Sequence, residues 1–229
     1  MKLLLFDIDL TLIRTGGAGR KAMNKAFVDI FNVADGMDGV DFAGRTDRAI
    51  FKDALEKTQM SWTLDLEQRF KKQYLELLSL ELSFKNNRKS VLPGIKEILN
   101  RVATDSQFVV ALLTGNWQEG AKIKLEHFGL YDFFQFGAFA DDSEFRNDLP
   151  AVAVRRFEEK TGRSISRQRV YVIGDTPLDV ACAQSFGAKS IAVATGFSSL
   201  KELRHSKPDY LFMNFQDSEH ILQVLQNDD

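Results

Sequence analysis

The chain contains 229 residues, of which 44% are hydrophobic and 27% are charged, and its formal net charge is −2. This composition excludes a disordered chain, and the balanced charge does not favour nucleic acid or an anionic membrane as a partner. The single cysteine, Cys182, excludes an intrachain disulfide and any zinc or iron–sulfur site built from several thiols, and the length predicts one large domain or two small ones.

The chain opens with an apolar run at residues 3–8, which predicts a buried strand rather than a secretory signal because Asp7 and Asp9 interrupt it early. No run approaches the roughly 20 apolar residues of a membrane span, and we expect a cytoplasmic protein. Further apolar runs predict strands at residues 108–113, 133–139, 170–173, 190–194 and 210–213. Helical spacing of apolar residues predicts helices at 93–102, 118–128, 149–160, 177–186 and 218–225. This alternation is typical of an α/β fold with a doubly wound parallel sheet.

About 100 residues separate the first two predicted strands, whereas a right-handed crossover needs only a dozen or so and its helix. Within them, residues 20–31, 47–57 and 64–82 have helical spacing, and no convincing strand is predicted. We therefore predict a small helical domain at 15–88, called the insertion below, within an α/β core formed by 1–14 and 89–229. The glycine-rich and polar segments 15–19 and 84–90 are predicted hinges.

Two aspartates end the first predicted strand. Side chains two apart on a strand face the same side, so Asp7 and Asp9 are expected about 6.6 Å apart. Two carboxylates at that distance repel by roughly 2.5 kcal/mol at an effective dielectric of 20, which predicts a cation beside them. The alternative is that both residues only end the strand and cap a turn. Doubly wound sheets bind ligands at the carboxyl ends of their strands, which favours a functional site.

A second acidic cluster follows the strand predicted at 170–173. Asp175 lies at the same predicted sheet edge as Asp7. Thr176 is a natural N-cap, and it places Asp179 at the third position of the next helix. Two interpretations of Asp179 remain open, because it either closes a capping box or joins the acidic site.

Two weaker signals lie near the same edge. The strand predicted at 108–113 ends in Thr114, Gly115 and Asn116, where a hydroxyl and a flexible backbone amide can approach an anion. Arg146 stands just before the next predicted helix. Taken alone, the first pattern is typical of an ordinary turn and the second of a surface charge.

In this order the motifs resemble those of the haloacid dehalogenase-like superfamily, specifically its phosphoglycolate phosphatase-like members with a helical cap inserted after the first motif. Residues 7–11 are similar to the first motif, Thr114 to the second, Arg146 to the third and residues 174–179 to the fourth. Leu10 stands where many members have glycine, a position that the family treats as tolerant. Lysine is usual in the third motif, so three other basic residues remain alternatives there, namely Arg155, Arg156 and Lys160.

The resemblance implies a Rossmann-like core and a Mg²⁺-dependent phosphatase that acts on a small phosphorylated metabolite. Asp7 would be the nucleophile, and Asp9 would protonate the leaving group and then activate water. The implied Mg²⁺ ligands are Asp7, the backbone carbonyl of Asp9 and Asp175, and Asp179 would act through a water or by orienting its neighbours. Thr114 and Arg146, with Gly115 and Asn116 beside them, would bind the phosphoryl group.

The resemblance also bears on specificity. An acid at Asp9 favours phosphate-ester hydrolysis, because an alkoxide leaving group needs a proton. Residues 42–47 are similar to a substrate-facing loop of the cap, which makes Arg45 a candidate for binding an anionic group of the substrate. The alternative is that Arg45 is an ordinary charge beside a helix start. A sugar-phosphate mutase and a non-catalytic phospho-acceptor or scaffold remain alternative functions.

Overall fold

A computed structural model describes residues 1–228. Its strands are β1 (Lys2–Phe6), β2 (Ile13–Thr15), β3 (Lys89–Val91), β4 (Phe108–Leu113), β5 (Gly137–Ala138), β6 (Val170–Gly174), β7 (Lys189–Val193) and β8 (Tyr210–Phe212). Its α-helices are α1 (Ala18–Phe31), α2 (Asp47–Lys57), α3 (Leu64–Ser83), α4 (Ile95–Thr104), α5 (Gln118–His127), α6 (Leu149–Thr161), α7 (Pro177–Phe186), α8 (Leu200–His205) and α9 (Ser218–Asn227).

Six strands form one sheet in the order β5-β4-β1-β6-β7-β8, and every neighbouring pair runs parallel. All five residues of β1 are buried, as expected for a central strand covered on both faces. Leu4 and Phe6 pack with α4, α5 and α9, whereas Leu3 and Leu5 pack with α6 and α7 on the opposite face. This architecture confirms the predicted doubly wound α/β fold.

The insertion consists of α1, α2 and α3, which pack around their own apolar cluster. The rings of Phe51 and Phe70 stack at its centre, with their centroids 4.2 Å apart. Trp117 and Ala140 of the α/β core also belong to this cluster, so the insertion is docked against the core. Residues 16–88 contain no strand, but β2 and β3 lie within the roughly 100 residues in which no strand was predicted. Among residues 1–228, no helix has both the length and the apolar character that crossing a bilayer requires.

The two connections to the insertion are more ordered than the sequence suggested. Strands β2 and β3 form an antiparallel ribbon in which Ile13 pairs with Val91 and Thr15 with Lys89. The predicted boundary between residues 14 and 15 therefore falls inside β2. The division into an α/β domain and a helical domain stays a prediction.

Two other local predictions were wrong. Of the strand predicted at 133–139, only Gly137 and Ala138 form a strand, and residues 131–133 form a 3₁₀ turn. Phe134 and Phe139 pack into the core from irregular backbone, so the run is apolar without being extended. Helix α8 was not predicted, because six residues are too few to show a helical period; the capping box formed by Ser199 and Glu202 was the available signal.

Candidate active site

The carboxyl ends of β1, β4 and β6 meet at one edge of the sheet. Strand β1 lies between the other two, so Asp7, Thr114 and Asp175 follow three adjacent strands. Residues that are more than 60 positions apart in the chain thus come together at the edge where such sheets bind ligands. The backbone N–H of Asp7 donates to the carbonyl of Ile173 on the neighbouring strand, at 2.9 Å, which fixes the start of the first motif.

Three buried carboxylates form the centre of this edge. Asp7, Asp175 and Asp179 each offer an oxygen that lies within 4.8 Å of the others. Burial raises the pKa of Asp7 to about 6, although the guanidinium of Arg146 acts in the opposite direction. Burial and the neighbouring Asp179 and Asp7 raise the pKa of Asp175 well above its usual value. The site therefore concentrates more negative charge than its own arginine neutralises, and the oxygen donors suit a hard divalent cation.

Asp179 serves two purposes in the structure. Its Oδ2 accepts hydrogen bonds from the backbone N–H of Thr176 at 3.0 Å and from the Thr176 hydroxyl at 2.7 Å, which closes a capping box on α7. Its Oδ1 accepts a hydrogen bond from Arg146. Both earlier interpretations therefore hold in geometry, because the residue caps the helix and also lies in the acidic cluster. Since both of its oxygens are engaged, it is suited to orienting its neighbours.

Two glycines make room for these carboxylates. A Cβ at Gly196 would lie 1.7 Å from Oδ2 of Asp175, and a Cβ at Gly174 would lie 2.0 Å from Cγ of Asp179. Asp175 also accepts a hydrogen bond from the hydroxyl of Thr11, at 3.2 Å. The backbone thus approaches the acidic cluster more closely than any residue with a side chain allows.

Arg146 is the basic residue that contacts the acidic cluster. Its Nη2 lies 3.2 Å from Oδ1 of Asp7 and pairs with Asp179, and its Nη1 donates to the carbonyl of Gly44, at 3.2 Å. Its Nε is buried and has no hydrogen-bond partner among residues 1–228. A buried donor without a partner is unusual in a folded protein, and an anionic ligand is one group that can satisfy it.

The three alternative basic residues lie elsewhere. Arg155 is exposed on α6 within 3.8 Å of Glu159, Arg156 pairs with Asp142, and Lys160 donates to the carbonyl of Gln135 at 3.5 Å. Of the four candidates for the third motif, the structure therefore brings Arg146 to the site.

Asp9 lies beside the acidic cluster with different partners. Its Oδ2 accepts hydrogen bonds from Nδ2 of Asn116 at 2.9 Å and from Nζ of Lys124 at 2.5 Å. Asn116 also donates to the hydroxyl of the fully buried Thr114, at 2.7 Å. Asn116 therefore links the residue that resembles the second motif to the predicted general acid.

Lys124 was not among the site residues predicted from the sequence. The residue lies on α5, where the buried positions are Gly120, Ala121, Lys124 and Leu125, which is one face of a helix. A lysine on the apolar stripe of an amphipathic helix was the available signal, because such a charge is rarely buried unless it is paired.

A loop of the insertion contacts the core beside the site. The hydroxyl of Thr46 donates to the carbonyl of Glu144 at 2.7 Å, and the backbone N–H of Asp47 donates to the carbonyl of Gly115 at 2.6 Å. The Asp47 carboxylate in turn accepts from the backbone N–H of Trp117, at 2.8 Å. Burial raises the pKa of Asp47 to about 7, although Lys124 acts in the opposite direction. The insertion is thus fastened to the loop that carries Thr114.

Arg45 belongs to this loop, but its guanidinium is not at the acidic cluster. It pairs with both carboxylate oxygens of Asp53 on α2, and its side chain is partly exposed. Only its backbone carbonyl approaches the site, where a Cβ at Gly115 would lie 2.0 Å from it. A contact between Arg45 and a substrate stays a prediction. Asp53 would compete with the substrate for the guanidinium.

Leu10 adopts a backbone conformation that favours glycine. Its φ is +61°, in the left-handed region that glycine adopts at lower cost than leucine. The hydroxyl of Thr195 donates to the carbonyl of Leu10 at 2.6 Å, and the N–H of Leu10 donates to the carbonyl of Ile13 at 2.8 Å. The position is conformationally demanding, and these two hydrogen bonds hold leucine in it.

Comparison with known proteins agrees with this geometry. The family profile described as haloacid dehalogenase-like hydrolase matches residues 4–193. Over 135 residues the chain is 27% identical to "Putative pyrophosphatase PpaX" of Caldanaerobacter subterraneus subsp. tengcongensis, and the match covers 59% of this chain and 58% of that protein.

Two crystal structures share the fold. That of "a predicted phosphoglycolate phosphatase" from Haemophilus somnus 129PT has a TM-score of 0.71 at 21% identity, covering 97% of this chain and 98% of that one. That of "putative beta-phosphoglucomutase" from Thermotoga maritima has a TM-score of 0.63 at 17% identity, covering 98% and 100%. Because the family profile spans the chain from β1 to β7 and the strand-end motifs meet at one edge, the chain belongs to the haloacid dehalogenase-like hydrolases.

Proposed function

We propose that the protein is a cytoplasmic, Mg²⁺-dependent phosphatase that hydrolyses a small phosphorylated metabolite through an aspartyl-phosphate on Asp7. The observation that carries this proposal is the surroundings of Asp7, which lies between two buried carboxylates and the guanidinium of Arg146. The free Nε of Arg146 supports it further, because a phosphoryl oxygen is an acceptor that could satisfy this donor.

The proposed reaction has two displacements at phosphorus. A carboxylate oxygen of Asp7 attacks phosphorus, the bond from phosphorus to the leaving oxygen breaks, and that oxygen takes a proton from Asp9. Water then gives a proton to Asp9 and attacks phosphorus, the bond to Asp7 breaks, and orthophosphate leaves. Thr114, the backbone amide of Gly115 and Arg146 hold the phosphoryl oxygens during both steps.

The acidic cluster fits the cation that this reaction requires. Asp7, Asp175 and the backbone carbonyl of Asp9 would hold Mg²⁺, and Asp179 would orient Arg146 and the start of α7. The bound ion supplies charge neutralisation at the phosphoryl group.

The substrate is proposed to be small because the insertion is fastened over the site by Thr46 and Asp47. The names of the relatives suggest phosphoglycolate, pyrophosphate and phosphorylated glucose as the first compounds to assay. Arg45 remains the proposed contact for an anionic group of the substrate. Arg45→Ala should therefore raise KM for the compounds with a second anionic group. It should leave KM for p-nitrophenyl phosphate within about threefold of the wild-type value.

The first test measures hydrolysis of p-nitrophenyl phosphate with Mg²⁺, with EDTA, and with Mg²⁺ restored. Turnover that disappears with EDTA and returns with Mg²⁺ is expected. Absence of turnover with retained metal binding would favour a non-catalytic phospho-acceptor or scaffold. A mutase is the enzymatic alternative suggested by the Thermotoga maritima structure, and a bisphosphorylated intermediate during turnover of a sugar phosphate would identify it.

A further inference from the structure

Asp9 is held by one of its two carboxylate oxygens. Lys124 and Asn116 both donate to Oδ2, at 2.5 and 2.9 Å. In the hydrogen bonds formed by residues 1–228, Oδ1 is left open to a ligand. The Asp9 side chain is 36% exposed, whereas that of Lys124 is only 5% exposed. Oδ2 is thus bound by protein groups, while part of the Asp9 side chain remains accessible to solvent.

Lys124 is built into the junction between the core and the insertion. Its Nζ also donates to Oδ1 of Asn116. A Cβ at Gly19 of α1 would lie 3.3 Å from the Lys124 Nζ, so α1 approaches the ammonium closely. Burying an ammonium is costly unless it is paired, and here Asp9 and Asn116 provide the pairing. The surrounding groups leave the lysine little freedom to change its conformation.

We infer that Lys124 is a positioning residue for the general acid, and this inference rests on the proposed phosphatase function. With Asn116 it holds Oδ2 of Asp9, which makes Oδ1 the oxygen that gives the proton to the leaving group and later takes one from water. A carboxylate held in this way cannot exchange its two oxygens by rotating. Proton transfer needs the acid within about 2.6–3.2 Å of the leaving oxygen, so a fixed carboxylate reaches that geometry more often than a mobile one.

This role predicts a dependence on the leaving group. Wild type and Lys124→Met should be compared on p-nitrophenyl, phenyl and ethyl phosphate. We expect kcat/KM for phenyl and ethyl phosphate to fall roughly 10- to 100-fold, because these leaving groups need the proton. With p-nitrophenyl phosphate kcat/KM should stay within about threefold, because that leaving group departs without protonation and the later attack of water does not contribute to kcat/KM. Lys124→Arg should recover part of the loss.

The matched control is Lys122→Met. Lys122 lies on the same helix, is half exposed and is within 3.7 Å of Glu126 at the next turn, so its removal should leave all three rates unchanged. A double-mutant cycle gives a second measurement. Asp9→Asn alone should lower kcat/KM selectively for the esters with poor leaving groups. Adding Lys124→Met to Asp9→Asn should lower kcat/KM little further.

Several results would overturn the inference. Equal losses of kcat/KM on the three esters, or losses of kcat/KM that multiply in the double mutant, would each assign Lys124 a different role. If Lys124→Met does not fold, judged by its thermal melt, Lys124→Gln is subject to the same criteria. Failure of the wild type to hydrolyse any ester would instead refute the proposed function, so the two failures are distinguishable.

Discussion

Two buried cations serve the two sides of the same site in different ways. Arg146 faces Asp7 and Asp179 with Asp175 close by, so carboxylates outnumber the cation on its side. Lys124 donates to one oxygen of Asp9 and to a neutral amide, and it also lowers the pKa of Asp47 through space. A cluster of carboxylates around one cation suits a divalent ion, whereas a direct ion pair suits a carboxylate that is held in place. The two cations thus differ in what they contact, because Arg146 lies in a cluster of three carboxylates and Lys124 pairs with one carboxylate and one amide.

The largest expected effect comes from Asp7→Asn, which removes the nucleophile on the Arg146 side. We expect turnover of p-nitrophenyl phosphate to fall by roughly 10⁴-fold or more, and residual activity near wild type would reject the covalent route.

Asp7→Asn should also change stability. Without metal, the variant should be more stable than the metal-free wild type at about pH 8. Burial raises the pKa of Asp7 from 3.8 to about 6, so its contribution to the free energy of unfolding falls between those values as pH rises. Urea unfolding at about pH 4 and pH 8 measures this difference.

Arg146→Ala should be the next most damaging change. Removing the cation leaves buried carboxylates unpaired, which costs about 3–5 kcal/mol for a buried pair, and also removes a phosphoryl contact worth roughly 10²–10³ in kcat. Arg156→Ala removes a half-buried pair with Asp142 and should cost less, and the exposed Arg155→Ala should cost least. Thermal melts and p-nitrophenyl phosphate rates rank the three variants by loss of stability and activity. The reverse ranking would assign the third motif to Arg155 or Arg156 instead of Arg146.

On the Lys124 side, Asp47→Asn should change the pH dependence of stability. Burial raises the pKa of Asp47 from 3.8 to about 7, so the folded state binds this proton more tightly than the unfolded state does. Stability in the wild type therefore falls as pH rises from about 4 to 7. The variant should lack this fall and gain at most roughly 4 kcal/mol at about pH 8. Urea unfolding across this range is the measurement, Asp38→Asn controls for loss of a surface carboxylate, and identical profiles would contradict the prediction.

The smallest expected effect tests how tightly the insertion covers both sides. A Cβ added by Gly115→Ala would meet the backbone carbonyl of Arg45 at 2.0 Å, which forces the loop away at a cost of about 1–3 kcal/mol and lowers kcat/KM. Gly120→Ala is the matched control, because its Cβ would lie 3.5 Å from the Tyr74 ring and alanine favours helix. Equal stability and activity of the two variants would show that the close approach of Gly115 to the Arg45 carbonyl contributes to neither.

The parts of the site that could be predicted from sequence are those at strand ends. Asp7, Thr114 and Asp175 each follow an apolar run, and parallel strands bring their carboxyl ends to one edge whatever the loops do. The apolar stripe of α5 marks Lys124 as buried, but neither its partner Asp9 nor the position of Asp47 could be found in this way. Both depend on where α5 packs on the sheet and on where the insertion docks, which local periodicity does not give.

Apolar periodicity and the strand-end motifs were enough, by themselves, to determine a parallel α/β sheet with an acidic edge and a helical insertion, because burial imposes a repeat on each element separately. Tertiary structure alone decided that Arg146 rather than Arg156 reaches Asp7, that Arg45 turns to Asp53, and that Lys124 anchors one oxygen of Asp9. The physical reason is that hydrogen bonds between distant residues depend on distances of a few tenths of an ångström. Packing between elements sets those distances, and a pattern within one element carries no record of them.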